Sequence, residues 1–296
     1  MPRTVLVAGS ANLDFVVRAD HIPAPGETVL GREFRTYPGG KGANQAIACA
    51  RAGGAATQML LALGVDAHAL PIEASLNEAG VRLHVVRSPT QPTGTAFICV
   101  ADDAQNAITV APGANSALRA ADLPSLAKVS HLLLQLETPI DVVTAYAQAA
   151  RAAGVTVVLN AAPARELPAE LLAALDLLIV NEDELAAISG VQGNIDAALA
   201  CIEVPTVIVT LGEEGCCARE QGQLLRVPAF AVEALDTTAA GDTFCGVLVA
   251  ALSQGDTLGT ALRRASAAAA IACTRPGAQA SIPTRAEVEA LLRSTP

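Results

Sequence analysis

Aromatic residues make up only 2% of this 296-residue chain, and tryptophan is absent. Stacking platforms for nucleic-acid bases and sugar-stacking surfaces of the lectin kind both need such rings, so neither is expected. Basic residues are also short, with 19 Lys and Arg against 29 Asp and Glu and a net charge of -10. An acidic chain without a basic cluster does not track a phosphate backbone, so nucleic acid is excluded as a partner. The seven cysteines are odd in number and include no C-x-x-C pair. Two of them, Cys216 and Cys217, are adjacent, a poor geometry for a structural bridge or a zinc site. They read as small buried hydrophobes in a reducing, cytoplasmic compartment. The apolar stretch at residues 5–8 is too short for a signal peptide or a membrane span, and no membrane partner is expected. Two nucleotide-binding fingerprints are missing as well. Gly9-Ser10-Ala11-Asn12 stands where G-x-G-x-x-G would follow the first strand, and Gly40-Lys41 is followed by Gly42 instead of the Ser or Thr of a Walker A loop.

What is present is apolar: 52% hydrophobic residues, enough for a sizeable core. Near-continuous apolar runs at 5–8, 59–61, 132–136, 155–159, 177–180 and 207–209 read as strands covered on both faces. Helical patterns cover 43–52, 140–153, 171–175, 182–189, 195–202, 241–253, 257–273 and 285–293, with Gly53, Gly54 and Gly154 where helix ends belong. Such alternation predicts an α/β chain with a mostly parallel, doubly wound sheet between helical layers. Two regions break the rhythm. Residues 15–18 with 29–36, and 95–100 with 107–110, alternate apolar and polar side chains and predict a small sheet with one wet face, a lid or a dimer surface. A late hairpin is expected around Gln221-Gly222.

Polar residues interrupt the apolar runs at strand C-termini: Asn12 and Asp14, Glu137, Asn160, Asn181 with Glu184, and Thr210 with Gly212. Ligands of open α/β sheets bind outside those carboxyl ends, so a shared cleft is expected. The segment PGGKGANQ at 38–45 enters a helix. Its glycines suit close approach of a ligand to the backbone, and Lys41 and Asn44 can bond ligand oxygens; a tight turn before a helix would use the same residues. The segment DTTAAGDTF at 236–244 opens another helix. Ala239, Ala240 and Gly241 bare their N–H groups to an anion, and Asp242 lies in the same first turn. A helix cap would explain Asp242, but a carboxylate beside an anion hole also suits a base that deprotonates a hydroxyl attacking phosphorus.

At these residues the chain resembles the ribokinase family, the PfkB-type carbohydrate kinases. The carrying segments are PGGKGANQ, QLETP at 135–139, NAAPARELP at 160–168, NEDE at 181–184, TLGEEG at 210–215, DTTAAGDTF, and TRPGAQASIP at 274–283. The resemblance implies a single three-layer α/β/α kinase domain over 1–296, with a β-sheet lid drawn from about 14–36 and 94–111 that often pairs two subunits. It implies ATP-dependent phosphorylation of D-ribose at its 5-hydroxyl, with another sugar or a nucleoside, such as 2-deoxyribose or fructose, as the alternative acceptor and a non-catalytic sugar sensor as a further one. Carried over, Asp242 is the catalytic base, and Asn12, Asp14, Gly40, Lys41, Gly42, Asn44 and Glu137 bind the sugar. Asn181 and Glu184 organise the phosphates and Mg²⁺. Thr210, Leu211, Gly212, Glu213, Glu214, Gly215 and Gly241 contact ATP, and Ser266 stands near adenine where relatives usually carry His or Asn. Asp236, Thr238, Ala272, Arg275, Gly277 and Ser281 match a K⁺ site, with a turn carboxylate as the plainer alternative for Asp236.

Overall fold

The computed structural model describes residues 4–103 and 105–294. Its strands are β1 (Thr4–Ala8), β2 (Asn12–Arg18), β3 (Glu33–Gly39), β4 (Thr57–Gly64), β5 (Arg82–Ser88), β6 (Gly94–Val100), β7 (Asn106–Ala111), β8 (Val129–Leu134), β9 (Thr156–Asn160), β10 (Leu177–Asn181), β11 (Thr206–Thr210), β12 (Cys216–Glu220) and β13 (Gln223–Val227). The helices are α1 (Lys41–Ile47), α2 (Ala69–Glu78), α3 (Ile140–Ala152), α4 (Ala169–Leu172), α5 (Glu182–Ser189), α6 (Ile195–Ala200), α7 (Ala240–Ser253), α8 (Leu258–Cys273) and α9 (Arg285–Ser294). A nine-stranded sheet runs β13-β12-β11-β10-β9-β8-β1-β4-β5. It is parallel from β5 to β11, and the β12–β13 hairpin closes one edge antiparallel.

The apolar runs are continuous because each strand feeds two cores. Successive side chains point to opposite faces. Val5, Val7, Met59, Leu61, Leu133 and Val158 join α1, α2, α7 and α8 on one side. Leu6, Ala8, Leu60, Leu132, Leu134 and Leu159 join α3, α5 and α6 on the other. This is the three-layer arrangement expected. Two elements had no counterpart in the sequence pattern. Strand β5 is an edge strand of only partial burial and lacks a long apolar run. Helix α2 carries Pro71 in its first turn, a breaker inside a helix but harmless where the N–H has no intrahelical acceptor.

Residues 12–18 leave the end of β1 and enter a second, four-stranded sheet of order β3-β2-β6-β7. Strands β2 and β6 are parallel and the other two junctions antiparallel. The pairing puts Val16, Arg35, Ile98 and Ile108 in one row and Phe15, Thr36, Phe97 and Thr109 in the next. The first row lines a cleft of about 610 Å³ that also reaches residues 234–238 and 276–278. Across the sheet, Phe15 stacks with Phe34 and Phe97 and meets His68 edge-on. Phe34 and Phe97 remain 60% and 54% exposed. All seven cysteines are free, and burial pushes the Cys49 thiol up to about 12. Among the described residues, no helix is long and apolar enough to cross a membrane.

Candidate active site

The glycines of 38–45 serve the protein's own backbone first. A Cβ on Gly40, whose φ is 89°, would lie 2.8 Å from Ala11 Cα and Asn12 N, and one on Gly42 would lie 2.7 Å from both Ser10 N and O. The sequence leaves that space open to a ligand or to a tight turn. The structure gives it to the β1–β2 junction, so α1 starts in contact with the end of β1. Gly241 differs, since a Cβ there would meet nothing within 4 Å.

This contact gathers the polar residues. Glu137, after β8, accepts from Ser10 Oγ at 2.5 Å and from the Lys41 amide at 3.1 Å. Asn12 Oδ1 accepts from Asn115 Nδ2 at 2.8 Å, and Asn115 is itself bonded to Ala11. Asn44 Nδ2 donates to Asp242 Oδ2 and Gln45 Nε2 to Asp242 Oδ1, each at 2.9 Å. Gln45 also donates to Asn160 Oδ1 at 3.0 Å and accepts from Gln135 Nε2 at 2.7 Å. Asn12, Asp14, Lys41, Asn44, Glu137 and Asp242 therefore lie together at the carboxyl ends of β1 and β8. Ser10, Gln45, Asn115 and Gln135 belong to the same network and were given no role from sequence. Their one signal is a polar side chain in or beside a small, apolar stretch, as in Gly42-Ala43-Asn44-Gln45-Ala46-Ile47.

The electrostatics are those of crowded carboxylates. Burial, then the charges of Glu137 and Asp242, push Asp14 up to about 7. Lys41 is held above the usual lysine range chiefly by Asp242, against the effect of burial. Among the described residues Asn44 Oδ1, Gln135 Oε1 and Thr243 Oγ1 are buried without a partner. The unmet Asn44 Oδ1, on the side chain bonded to Asp242, suits a hydroxyl of a polyhydroxylated ligand.

Helix α7 is preceded at its N-cap by Ala239, a non-glycine residue in the left-handed region with φ 57°. The Ala240 N–H is taken by the Thr237 carbonyl at 3.2 Å and that of Thr243 by the Ala239 carbonyl at 2.8 Å. Among the described residues nothing accepts from the amides of Gly241 and Asp242. Of the 239–241 window read from sequence, the amides of Ala239 and Gly241 have no acceptor among the described residues, that of Asp242 joins them, and the Ala240 amide is taken.

Asn181 and Glu184 form a reciprocal capping box: Glu184 N–H donates to Asn181 Oδ1 at 2.7 Å, and Asn181 N–H to Glu184 Oε2 at 2.9 Å. Burial pushes Glu184 up. Among the described residues no hydrogen bond reaches its Oε1, which fits a divalent ion held mostly by nucleotide phosphates and water better than a closed protein cage. Among the described residues no group of three His, Cys, Asp or Glu side chains could hold a metal. At the end of β11, Leu211 N–H closes a tight turn onto the Gly215 carbonyl at 2.8 Å, around Gly212, Glu213 and Glu214. Thr210 Oγ1 contacts the Val180 carbonyl at 3.4 Å. Ser266 is buried on α8 with its Oγ 3.8 Å from Cys216 Sγ.

Asp236 accepts from Thr238 N–H at 2.9 Å and from Gly277 N–H at 2.8 Å. It ties together the two loops singled out from sequence. Burial alone would raise this carboxyl, but those hydrogen bonds outweigh it and hold it low. Nearby, the Ala272 carbonyl accepts from Arg275 N–H at 3.1 Å, Arg275 pairs with Glu287, and Ser281 Oγ donates to the Ala278 carbonyl at 2.8 Å. The turn-carboxylate role is therefore filled. One carboxylate among carbonyls also fits a weakly hydrated monovalent cation better than a divalent one.

Residues 2–285 match the model of the pfkB family carbohydrate kinases. The chain is 40% identical to the ribokinase of Haemophilus influenzae over 299 residues, covering 97% of each. It superposes on the ribokinase of Thermotoga maritima with a TM-score of 0.91 at 36% identity, covering 98% of this chain and 99% of that one. It matches the Arabidopsis thaliana ribokinase complexed with ribose and ATP equally well, with a TM-score of 0.91 at 33% identity over 99% of both chains. The chain belongs to the pfkB family of carbohydrate kinases.

Proposed function

We propose that the protein is a ribokinase, converting ATP and D-ribose to ADP and D-ribose 5-phosphate. The observation that carries the mechanism is the Asp242 carboxylate, fixed by Asn44 and Gln45 beside the free amides of Gly241 and Asp242. The ribose O5 attacks the γ-phosphorus while its proton passes to Asp242. The bond from the γ-phosphorus to the β–γ bridging oxygen breaks, and ADP leaves with that oxygen. The two amides and Lys41 meet the charge of the transferring phosphoryl group. Asn12, Asp14, Asn44 and Glu137 hold the hydroxyls, with Asn12 oriented by Asn115 and Glu137 by Ser10. Gly40 and Gly42 act by holding α1 against β1.

ATP serves with a divalent ion, for which we infer Mg²⁺ near Glu184; when bound, the ion neutralises phosphate charge. The tight turn at 211–215 faces the nucleotide, and Ser266 lies against its base. K⁺ at Asp236, with carbonyls of Thr238, Ala272, Arg275 and Gly277 and the Ser281 hydroxyl, would stiffen the turn that carries the two amides. The second sheet is the lid over the sugar. Its exposed Phe34 and Phe97 support pairing with a second copy, because an apolar face of this kind is a liability when bare. Seven free thiols suit the cytoplasm.

Measuring ADP release over a panel of pentoses, hexoses and nucleosides tests the assignment. D-ribose is expected to give the highest kcat/KM. A site built to bond a hydroxyl strongly rejects the analogue lacking it. A preference for 2-deoxyribose would replace the ribose assignment with that of a deoxyribose kinase, and Asn12→Ala is expected to narrow the gap between the two sugars.

A further inference from the structure

A carboxylate in the first turn of a helix has an easy alternative partner: the free N–H groups at the helix start. If Asp242, third in the helix, folded back onto the free N–H of Ala239, as the acid of a capping box does, the base and an anion-binding donor would be lost together. In the structure both of its oxygens instead accept from α1, from Asn44 Nδ2 and Gln45 Nε2. Asn44 borders the sugar pocket with an unmet Oδ1. Gln45 does not: it is fully buried, and its amide is saturated by Asp242, Asn160 and Gln135. Asn160 continues the chain to the Ile179 carbonyl at 3.3 Å. The carboxylate is thereby referenced to the ends of β8, β9 and β10. The reach of Gln45 is set by Gly246, one turn beyond Asp242. A Cβ there would lie 2.4 Å from the Gln45 carbonyl and 2.7 Å from Ala48 Cβ. Helix α1 runs into a π-helical turn, Ala48–Ala52, at this contact.

We propose that Gln45 is a positioning residue for the phosphoryl-transfer base: its sheet-anchored amide holds the Asp242 carboxylate off the Ala239 N–H at the helix start, so that base and anion-binding donors stay separately available. This rests on the kinase mechanism above, but not on ribose being the acceptor. The charged and titratable groups around Asp242, namely Lys41, Asp14, Glu184 and Cys245, are kept in every variant below.

The test compares Gln45→Met, Gln45→Glu and Gln135→Met with the unaltered enzyme, using the sugar that the panel shows to be turned over best. Gln45→Met keeps length and volume but removes all three hydrogen bonds. Its kcat is expected to fall by up to about 10²-fold, the cost of a misplaced catalytic group, with the KM for ATP and for sugar within about 3-fold. Its crystal structure should show Asp242 turned onto the Ala239 amide. Gln135→Met loosens the anchor without touching Asp242 and should lower kcat in the same direction but less, which keeps the inference testable if the first variant folds poorly. Gln45→Glu sets a second carboxyl against the base, so the acidic limb of its kcat/KM profile should move to higher pH by about one unit or more. Unchanged kcat in Gln45→Met, an unmoved carboxylate in its structure, or an unshifted profile in Gln45→Glu would reduce Gln45 to core packing and overturn the proposal. If the best acceptor is a sugar other than ribose while the variants behave as stated, the ribose assignment fails and this one stands.

Discussion

Asp14→Asn should make the protein more stable and a worse enzyme. Asp14 lies on β2 where the second sheet leaves β1, and burial followed by Glu137 and Asp242 raises its carboxyl from 3.8 to about 7. Among the described residues no donor offsets this with a hydrogen bond. The folded protein therefore holds the Asp14 proton more tightly than the unfolded chain does. Stability falls as the pH rises from about 4 to about 7 and is level above that. At about 1.4 kcal/mol per pH unit the upper limit of the penalty is about 4 kcal/mol. Water reaching the open side of the cleft screens part of it, and ~2 kcal/mol is the figure carried forward. Asparagine is close in shape to the neutral acid and does not titrate. For a chain of this size ~2 kcal/mol corresponds to a rise in Tm of ~4 °C at about pH 8. At about pH 4, where the native carboxyl is protonated and the unfolded one is near its own midpoint, the gain should shrink to about 1 °C or less. Thermal unfolding followed by circular dichroism without sugar, at both pH values, reads the difference directly. At pH 8 the variant should also show a raised KM for ribose, since a hydroxyl acceptor has been weakened. An equal gain at both pH values, or a lower Tm at pH 8, would refute the account of the cleft as a set of mutually repelling carboxylates.

Asp242→Asn should lose ~10²–10⁴ in kcat. The amide it creates must also point its NH₂ at Asn44 or Gln45, both donors, so a Tm lowered by a few degrees is expected beside the lost rate; unaltered turnover would remove Asp242 from the chemistry. Phe97→Asp places a charge on the exposed face of the second sheet, and light scattering should then report monomers where the unaltered protein gives dimers. Dimers in both would locate the interface elsewhere. Activity should rise when K⁺ replaces a large organic cation at constant ionic strength, less so with Na⁺, and Asp236→Ala should abolish the response; equal rates in all three salts would leave the two loops a purely structural task.

The sequence by itself determined the layers. Runs such as Val5-Leu6-Val7-Ala8 can only be strands buried on both sides, and the helical patterns between them force parallel crossovers. The alternating stretches around Phe15 and Phe97 could not enter such a sheet, and they form the second one. The gathering of Lys41, Glu137 and Asp242 in one cleft was legible too, because charged residues at the ends of apolar runs have few other reasons to be there. Tertiary structure alone decided what the small residues are for. Glycine at 40 and 42 looks the same in sequence whether it admits a ligand or a neighbouring strand, and only the distances to Ala11 and Ser10 show the strand. The Asn181–Glu184 box and the Asp236–Thr238 turn are likewise local hydrogen-bond solutions that spacing cannot separate from a ligand site. The network from Gln45 through Gln135 and Asn160 to Asp242 was invisible for a stronger reason. Its partners are 90, 115 and 197 residues from Gln45 in sequence, and no periodicity encodes contacts that exist only once α1, α7 and three strand ends have packed together.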